Sequence, residues 1–87
     1  MKNILIVDDD QEMLNSLNKL LARKPEYNLT LVQNENYALE MAENKKFDLI
    51  ITDLQMKQIS GMDVLRTALG KFPGSSVIII SGYGTIE

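Results

Sequence analysis

The residues best suited to chemistry are acids and a hydroxyl group that each follow a short run of apolar residues. They are the triplet Asp8-Asp9-Asp10, the single acid Asp53 and the pair Ser81-Gly82. Carboxylates brought close together repel each other, and a protein relieves this repulsion by protonating one of them or by binding a cation. With oxygen ligands only, the expected cation is Mg²⁺, which takes one or two carboxylates and keeps several waters. The set therefore predicts a Mg²⁺ site beside a phosphoryl group.

Within this set, each group has an expected role in phosphoryl chemistry. Asp53 is the expected nucleophile, because a carboxylate can form an acyl phosphate without prior deprotonation. Ser81 offers a hydroxyl to a phosphoryl oxygen, and the backbone amide of Gly82 adds a second donor that no side chain obstructs. Catalysis at such a site consists mostly of positioning and of charge neutralisation by the metal.

The composition excludes most other chemistries. The 87 residues contain no histidine and no cysteine, which removes Ser-His-Asp catalysis, thiolate nucleophiles and the common zinc ligands. The net charge of −3 lacks the positive excess that binding a phosphate backbone requires, so we expect no direct nucleic-acid binding. No apolar run approaches the length of a membrane span or a signal peptide, and we expect a cytoplasmic protein without membrane contact.

The elements that position these residues alternate between strands and helices. Apolar runs predict strands at 4–7, 48–52 and 77–80, and an alternating pattern predicts a weaker, edge-type strand at 28–33. Apolar residues spaced by three and four predict helices at 11–23, at 34–46 and from Met62 to Gly70. This order implies a single α/β domain over 1–87 with a parallel sheet and helices on both faces. Ligands of such sheets bind at the carboxyl ends of the strands, where the polar residues lie.

Three segments together resemble the receiver domain of two-component response regulators. They are Ile4 to Asp10, Thr52-Asp53-Leu54-Gln55-Met56 with Gly61 eight residues after the acid, and Ile80-Ser81-Gly82-Tyr83-Gly84. Each segment closes a predicted strand, and the resemblance runs from residue 2 to the end. It implies a flavodoxin-like, doubly wound sheet of strand order 2-1-3-4, without the fifth strand and fifth helix of a full receiver. The last six residues also resemble receivers that precede ATPase domains of enhancer-binding (NtrC-like) activators.

The resemblance implies a role for each site residue. Asp53 is the phosphoacceptor for a sensor histidine kinase, and Ser81 is the switch hydroxyl that moves toward the phosphoryl group. Asp9, Asp53 and the backbone carbonyl of Gln55 hold Mg²⁺, while Asp8 acts through a metal-bound water. Gln55 and Tyr83 match the two positions that tune access of the hydrolytic water in this family.

The sequence also departs from the family pattern. Lys57 stands where the family usually carries proline, and Ser60-Gly61 stands where it carries Asp-Gly. The fifth strand of a full receiver supplies a lysine to the phosphoryl group, so the 87 residues are expected to bind Mg²⁺ but to be impaired in phosphoryl transfer. We expect the exposed edge of the fourth strand, or the uncovered face of the sheet, to drive self-association.

Two other functions fit parts of the pattern. Asp8 and Asp10 form an Asp-x-Asp pair that resembles haloacid-dehalogenase-type phosphatases, in which Asp8 would be the nucleophile and Asp10 the acid. A receiver-like scaffold that is not phosphorylated and binds partners is the main alternative. Asp10 also has a purely structural interpretation as the cap of the first helix, because acids favour a helix N-terminus.

Overall fold

Strands and helices alternate along the chain in a computed structural model that describes residues 1–80. The strands are β1 (Lys2–Val7), β2 (Tyr27–Val32), β3 (Leu49–Asp53) and β4 (Ser76–Ile80). The helices are α1 (Gln11–Leu21), α2 (Glu35–Asn44) and α3 (Gly61–Lys71). Every element predicted from the apolar pattern is present, with ends shifted by one or two residues. No helix in residues 1–80 is both long enough and apolar enough to cross a membrane.

The four strands form one parallel sheet in the order β2-β1-β3-β4, as predicted. β1 lies between two neighbours, and Ile4 to Val7 are all buried, which explains the continuous apolar run. In the register of the sheet, Val7 lies opposite Val32 on one side and Thr52 on the other. The residues that follow, Asp8 after β1 and Asp53 at the end of β3, are therefore brought to the same edge.

Two apolar clusters cover the faces of this sheet. Because side chains alternate along a strand, Leu5 and Val7 point to one face while Ile4 and Ile6 point to the other. The larger cluster, under α2 and α3, has nine buried members: Leu5, Val7, Val32, Ala38, Ala42, Phe47, Ile50, Val64 and Ala68. The smaller cluster, under α1, has four: Ile4, Ile6, Leu14 and Ile51. Burial of each large side chain contributes about 1.5–3 kcal/mol, so these clusters fix the sheet on which the acids stand.

Each helix begins with a side-chain cap at the same edge of the sheet as the acids. The Asp10 carboxylate accepts a hydrogen bond from Glu12 N at 3.0 Å, so Asp10 caps α1 as its structural interpretation predicts. Asn34 caps α2, and Ser60 forms a reciprocal capping box with Asp63 at α3. Such caps are each worth about 1 kcal/mol. They fix where the helices begin and therefore how long the three strand-to-helix loops are.

Candidate metal and phosphoryl site

Three of the predicted site carboxylates meet at the carboxyl edge of the sheet. Asp8, Asp9 and Asp53 each offer one oxygen, and these oxygens all lie within 4.8 Å of one another. Asp8 is buried, with 6% of its surface exposed, whereas Asp9 and Asp53 are partly exposed. The arrangement places one acid behind two others that solvent and a ligand can reach. We call Asp8, Asp9 and Asp53 the acid trio.

The position of Asp8 is set by the turn between β1 and α1. Its backbone N–H donates to Val32 O at 3.2 Å and extends the pairing of β1 with β2 by one residue. Its carboxylate accepts a hydrogen bond from Asp10 N at 2.9 Å, a local turn typical of aspartate. These bonds hold the buried Asp8 carboxylate in place. Asp9, the next residue, remains partly exposed.

The position of Asp53 depends on a close approach between β3 and the start of α3. Asp53 is paired with Ile80 of β4, and Leu54 N donates to Ile80 O at 2.8 Å. Gly61 N in turn donates to Leu54 O at 2.8 Å. A Cβ atom at Gly61 would collide with the backbone carbonyl oxygen of Asp53. The glycine eight residues after the acid is thus required because no side chain fits between helix and strand.

The electrostatics of the acid trio disfavour three negative charges. Burial raises the pKa of the Asp8 carboxyl above its ordinary value, and the nearby charges of Asp53 and Asp9 raise it further against the opposing hydrogen bond from Asp10 N. Burial likewise raises the pKa of Asp53, and the charge of Asp9 adds to this effect. Within residues 1–80, no lysine or arginine lies at ion-pair distance from the trio. A bound divalent cation would remove this repulsion.

The loop between β3 and α3, residues 54–60, contains Gln55 and Lys57, which were both introduced above from the sequence. Gln55 pairs with Ser60 in an isolated antiparallel bridge that closes the base of the loop, next to Asp53. Lys57 is exposed and lines an open cleft together with Asp9 of the acid trio. The backbone carbonyl of Gln55, the remaining predicted Mg²⁺ ligand, therefore belongs to a loop that is fixed at its base.

The structure also brings in an acid that the sequence analysis did not select. Glu35, the first residue of α2, lines the same cleft as Asp9 and Lys57 and is only 9% exposed. An acid in the first turn of a helix is common on the surface, so the sequence contains no signal that this one is buried.

The remaining candidate residues from the sequence are not members of the acid trio. Ser81, Gly82 and Tyr83 lie outside the described residues, so their roles stay predictions. The Asp10 carboxylate is occupied as the cap of α1 and is not a member of the group that meets within 4.8 Å. This removes the acid that a phosphatase of the Asp-x-Asp type would need.

Comparison with known proteins identifies the family. The sequence profile described as "Response regulator receiver domain" matches residues 4–87. The chain belongs to the response regulator receiver domain family. This receiver is 33% identical over 85 residues to the transcriptional regulatory protein ZraR of Escherichia coli K12, covering 98% of this chain and 19% of ZraR. It is 31% identical over 86 residues to the response regulator receiver protein CpdR of Brucella abortus, covering 99% of this chain and 71% of CpdR.

Solved receiver structures share the fold. A CheY-like receiver domain protein from Methanospirillum hungatei superposes with a TM-score of 0.86 at 30% identity, covering 99% of this chain and 68% of that one. The response regulator TrrA from Thermotoga maritima, solved in complex with Mg²⁺ and BeF, superposes with a TM-score of 0.84 at 30% identity, covering 97% of this chain and 72% of that one. The predicted flavodoxin-like class is confirmed. The receiver spans about a fifth of the length of ZraR.

Proposed function

We propose that this receiver domain accepts a phosphoryl group from a sensor histidine kinase on Asp53, with Mg²⁺ bound at the acid trio. Asp9, Asp53 and the backbone carbonyl of Gln55 would hold the ion directly, and Asp8 would hold it through a water. The observation that supports this proposal is the meeting of Asp8, Asp9 and Asp53 within 4.8 Å at the carboxyl edge of the sheet.

The residues present fit Mg²⁺ by their chemistry. All the donors are oxygens. Burial first, and then the charges of neighbouring acids, raises the pKa of Asp8 and of Asp53, and no lysine or arginine of residues 1–80 lies at ion-pair distance from the trio. Oxygen-only sites of this kind favour Mg²⁺ over the softer transition metals. When bound, the ion supplies positive charge to the oxygens of the transferring phosphoryl group.

The chain itself contributes a fixed nucleophile. Pairing with β4 holds Asp53 at the strand end, and its partial exposure lets a donor approach. In its ionised form, a carboxylate oxygen of Asp53 attacks phosphorus, the nitrogen–phosphorus bond of the kinase phosphohistidine breaks, and the imidazole leaves. Ser81 and Gly82 would donate hydrogen bonds to the phosphoryl oxygens. Because attack needs no proton transfer from Asp53, no general base is required.

The test is adduct formation with a small phosphodonor or with beryllofluoride in the presence of Mg²⁺. The wild type should gain one phosphoryl group by intact-mass spectrometry, and Asp53→Asn should gain none. Asp10→Asn should still form the adduct, because Asp10 caps α1 and is not one of the three carboxylates that meet. An adduct that survives in Asp53→Asn but is lost in Asp8→Asn would support the phosphatase mechanism instead. Absence of any adduct on the wild type would favour the unphosphorylated scaffold.

We also propose that the 87-residue chain self-associates through the edge of β4 that faces away from β3. Within residues 1–80, β4 pairs with β3 alone, and its central residue Ile78 is 50% exposed. An apolar strand edge of this kind offers unpaired backbone groups to a second chain. Light scattering at micromolar concentration should give a dimer or larger species, and Ile78→Lys should give a monomer. A monomeric wild type would contradict the proposal.

Two expectations about the wider setting stay predictions. ZraR is named a transcriptional regulatory protein. We infer that control of transcription is also the output served by this receiver, and that it acts in the cytoplasm. Deletion of the gene followed by measurement of transcript levels tests the first, and cell fractionation tests the second.

A further inference from the structure

The burial of Glu35 is not explained by its place at the start of α2. A carboxylate in the first turn of a helix is stabilised by the helix dipole at exposed positions as well as at buried ones, so the dipole does not account for the burial. Glu35 is only 9% exposed. Its Oε2 accepts a hydrogen bond from the backbone N–H of Gln58 at 3.1 Å, in the loop 54–60. The carboxylate therefore faces the loop that carries the predicted Mg²⁺ ligand Gln55.

A second bond joins the same two segments. Asn36, next to Glu35 on α2, donates from Nδ2 to Gln58 Oε1 at 2.7 Å. The backbone and the side chain of Gln58 are thus each bound by one of two adjacent residues of α2. Two bonds that converge on one loop residue define its position far better than one, because they restrain its backbone and its side chain together.

The base and the tip of the loop are held in different ways. The base is closed by the Gln55–Ser60 bridge and by the bond from Gly61 N to Leu54 O. At the tip, residues 56–59, the side chains of Met56 and Ile59 pack on the larger apolar cluster. In the described part of the chain, the hydrogen bonds to this tip come from Glu35 and Asn36 alone. The polar restraint on the tip therefore comes entirely from the first turn of α2.

The cleft beside Glu35 connects this contact to the acid trio. It is lined by Asp9, Gln33, Asn34, Glu35 and Lys57. Gln33 donates from Nε2 to the backbone carbonyl of Asp9 at 3.0 Å, so the end of β2 is bonded to the trio as well. The first turn of α2 thus lines one cleft together with Asp9 of the acid trio and Lys57 of the loop tip.

We infer that Glu35 is a positioning residue, which holds the tip of the loop 54–60 against α2 and thereby fixes the Gln55 carbonyl beside the acid trio. The effect on Mg²⁺ rests on the proposed function, whereas the restraint on Gln58 is a property of the metal-free protein. The two parts can be measured separately.

The first measurement is amide hydrogen exchange at Gln58 in the metal-free protein. Loss of a hydrogen bond to a charged acceptor corresponds to about a tenfold or larger change in an opening equilibrium. Glu35→Ala should therefore speed exchange at Gln58 by about tenfold. Glu35→Gln keeps an oxygen acceptor and should remain within about threefold of the wild type. Glu43→Ala, an exposed acid of the same helix, is the matched control and should leave the exchange unchanged.

The second measurement is the Mg²⁺ dissociation constant by titration calorimetry. Displacement of the Gln55 carbonyl should weaken Mg²⁺ binding about fivefold to tenfold in Glu35→Ala, with recovery to within about threefold in Glu35→Gln. Glu43→Ala should bind as the wild type. Asn36→Ala removes the other bond to Gln58, should weaken binding about twofold to threefold, and replaces Glu35→Ala if that variant does not fold.

The outcomes separate this inference from the proposed function. A wild type that binds Mg²⁺ while Glu35→Ala binds it equally well overturns the positioning role and leaves the phosphoacceptor proposal intact. Unchanged exchange at Gln58 in Glu35→Ala overturns the restraint itself. A wild type that binds no Mg²⁺ and forms no adduct overturns the proposed function, and with it the effect of Glu35 on the metal.

Discussion

β3 has an aspartate at each end, Asp48 just before the strand and Asp53 as its last residue, and the two carboxylates have different surroundings. At the amino end, Asp48 accepts a hydrogen bond from Asn3 N at 2.8 Å through its carboxylate. Its own N–H donates to Asn3 O at 2.8 Å, and its carbonyl accepts from Ser76 N at 3.2 Å. At the carboxyl end, Asp53 lies within 4.8 Å of two other carboxylates. One acid completes the sheet, and the other is repelled by its neighbours.

This difference shows how a small receiver separates folding from function along one strand. A carboxylate that accepts backbone hydrogen bonds stabilises the fold in the absence of any ligand. Carboxylates that lie close together without basic partners repel each other and lower the stability of the fold until a cation binds. Because the cation removes this repulsion, the relief adds to the free energy of cation binding. Substitution of Asp48 at the amino edge should therefore lower the stability of the fold, and substitution of the acid trio at the carboxyl edge should impair ligand binding.

The largest expected effect on stability comes from the backbone contact at the carboxyl edge. Gly61→Ala places a Cβ atom against the carbonyl oxygen of Asp53, and overpacking of this kind costs about 2 kcal/mol. Gly70→Ala is the matched control at the other end of α3. No atom lies within 4 Å of its added Cβ, so alanine should stabilise the helix by about 0.5–1 kcal/mol. Urea unfolding measures both, and equal effects would show that the close approach at Gly61 is not tight.

Part of this architecture could be predicted from the sequence because the signals are local. The runs that form β1 and β3 are continuous because apolar clusters cover both faces of the sheet. The acids follow these runs directly, so a parallel sheet had to bring Asp8, Asp9 and Asp53 to one edge. That convergence and the cap of α1 by Asp10 could be predicted from the local sequence alone.

Other features depend on contacts between distant residues, which hydropathy does not reveal. β1 begins at Lys2, before its apolar run, because Lys2 N donates to Glu26 O at 2.7 Å beside the start of β2. α3 continues past the predicted stop at Gly70 to Lys71, since that glycine is exposed and costs only about 1 kcal/mol in a helix. Glu35 was missed because its burial is created by the loop at Gln58.

The second-largest expected effect is the loss of stability on substitution of Asp48, at the amino edge of the sheet. Asp48→Ala leaves Asn3 N without its acceptor in a partly buried position, which should destabilise the protein by about 1.5 kcal/mol. Beryllofluoride binding should be unchanged once the protein is folded, because Asp48 lies at the opposite end of β3 from Asp53. Urea unfolding and ¹⁹F NMR measure the two quantities. Loss of the adduct in a folded Asp48→Ala protein would contradict the claim that the acid at the amino edge serves the fold and not the ligand site.

The third effect is stabilisation by the cation. Mg²⁺ at ten times its dissociation constant should raise the free energy of unfolding of the wild type by about 1.4 kcal/mol, because only the folded state assembles the acid trio. Asp9→Asn should lose most of this gain, whereas Glu12→Gln, a nearby exposed acid in α1, should keep it. Denaturation with and without Mg²⁺, at constant ionic strength, measures the difference. Equal stabilisation of Asp9→Asn would indicate a general salt effect.

The smallest expected effect is the gain in stability of the metal-free protein when one negative charge of the acid trio is removed. The folded state raises the pKa of Asp8, so the folded protein binds that proton more tightly than the unfolded chain does. The contribution of Asp8 to wild-type stability is therefore greatest below the ordinary pKa of 3.8 and is lost as the pH rises through the raised pKa. Asp8→Asn keeps the oxygen that accepts from Asp10 N but carries no charge. It should be more stable than the wild type by about 1 kcal/mol at pH 7, and the gain should vanish near pH 3. Asp48→Asn should show no such gain at pH 7, because Asp48 is not one of the carboxylates that meet within 4.8 Å. A gain for Asp8→Asn that persists at pH 3 would mean that packing, and not charge, opposes folding at the carboxyl edge.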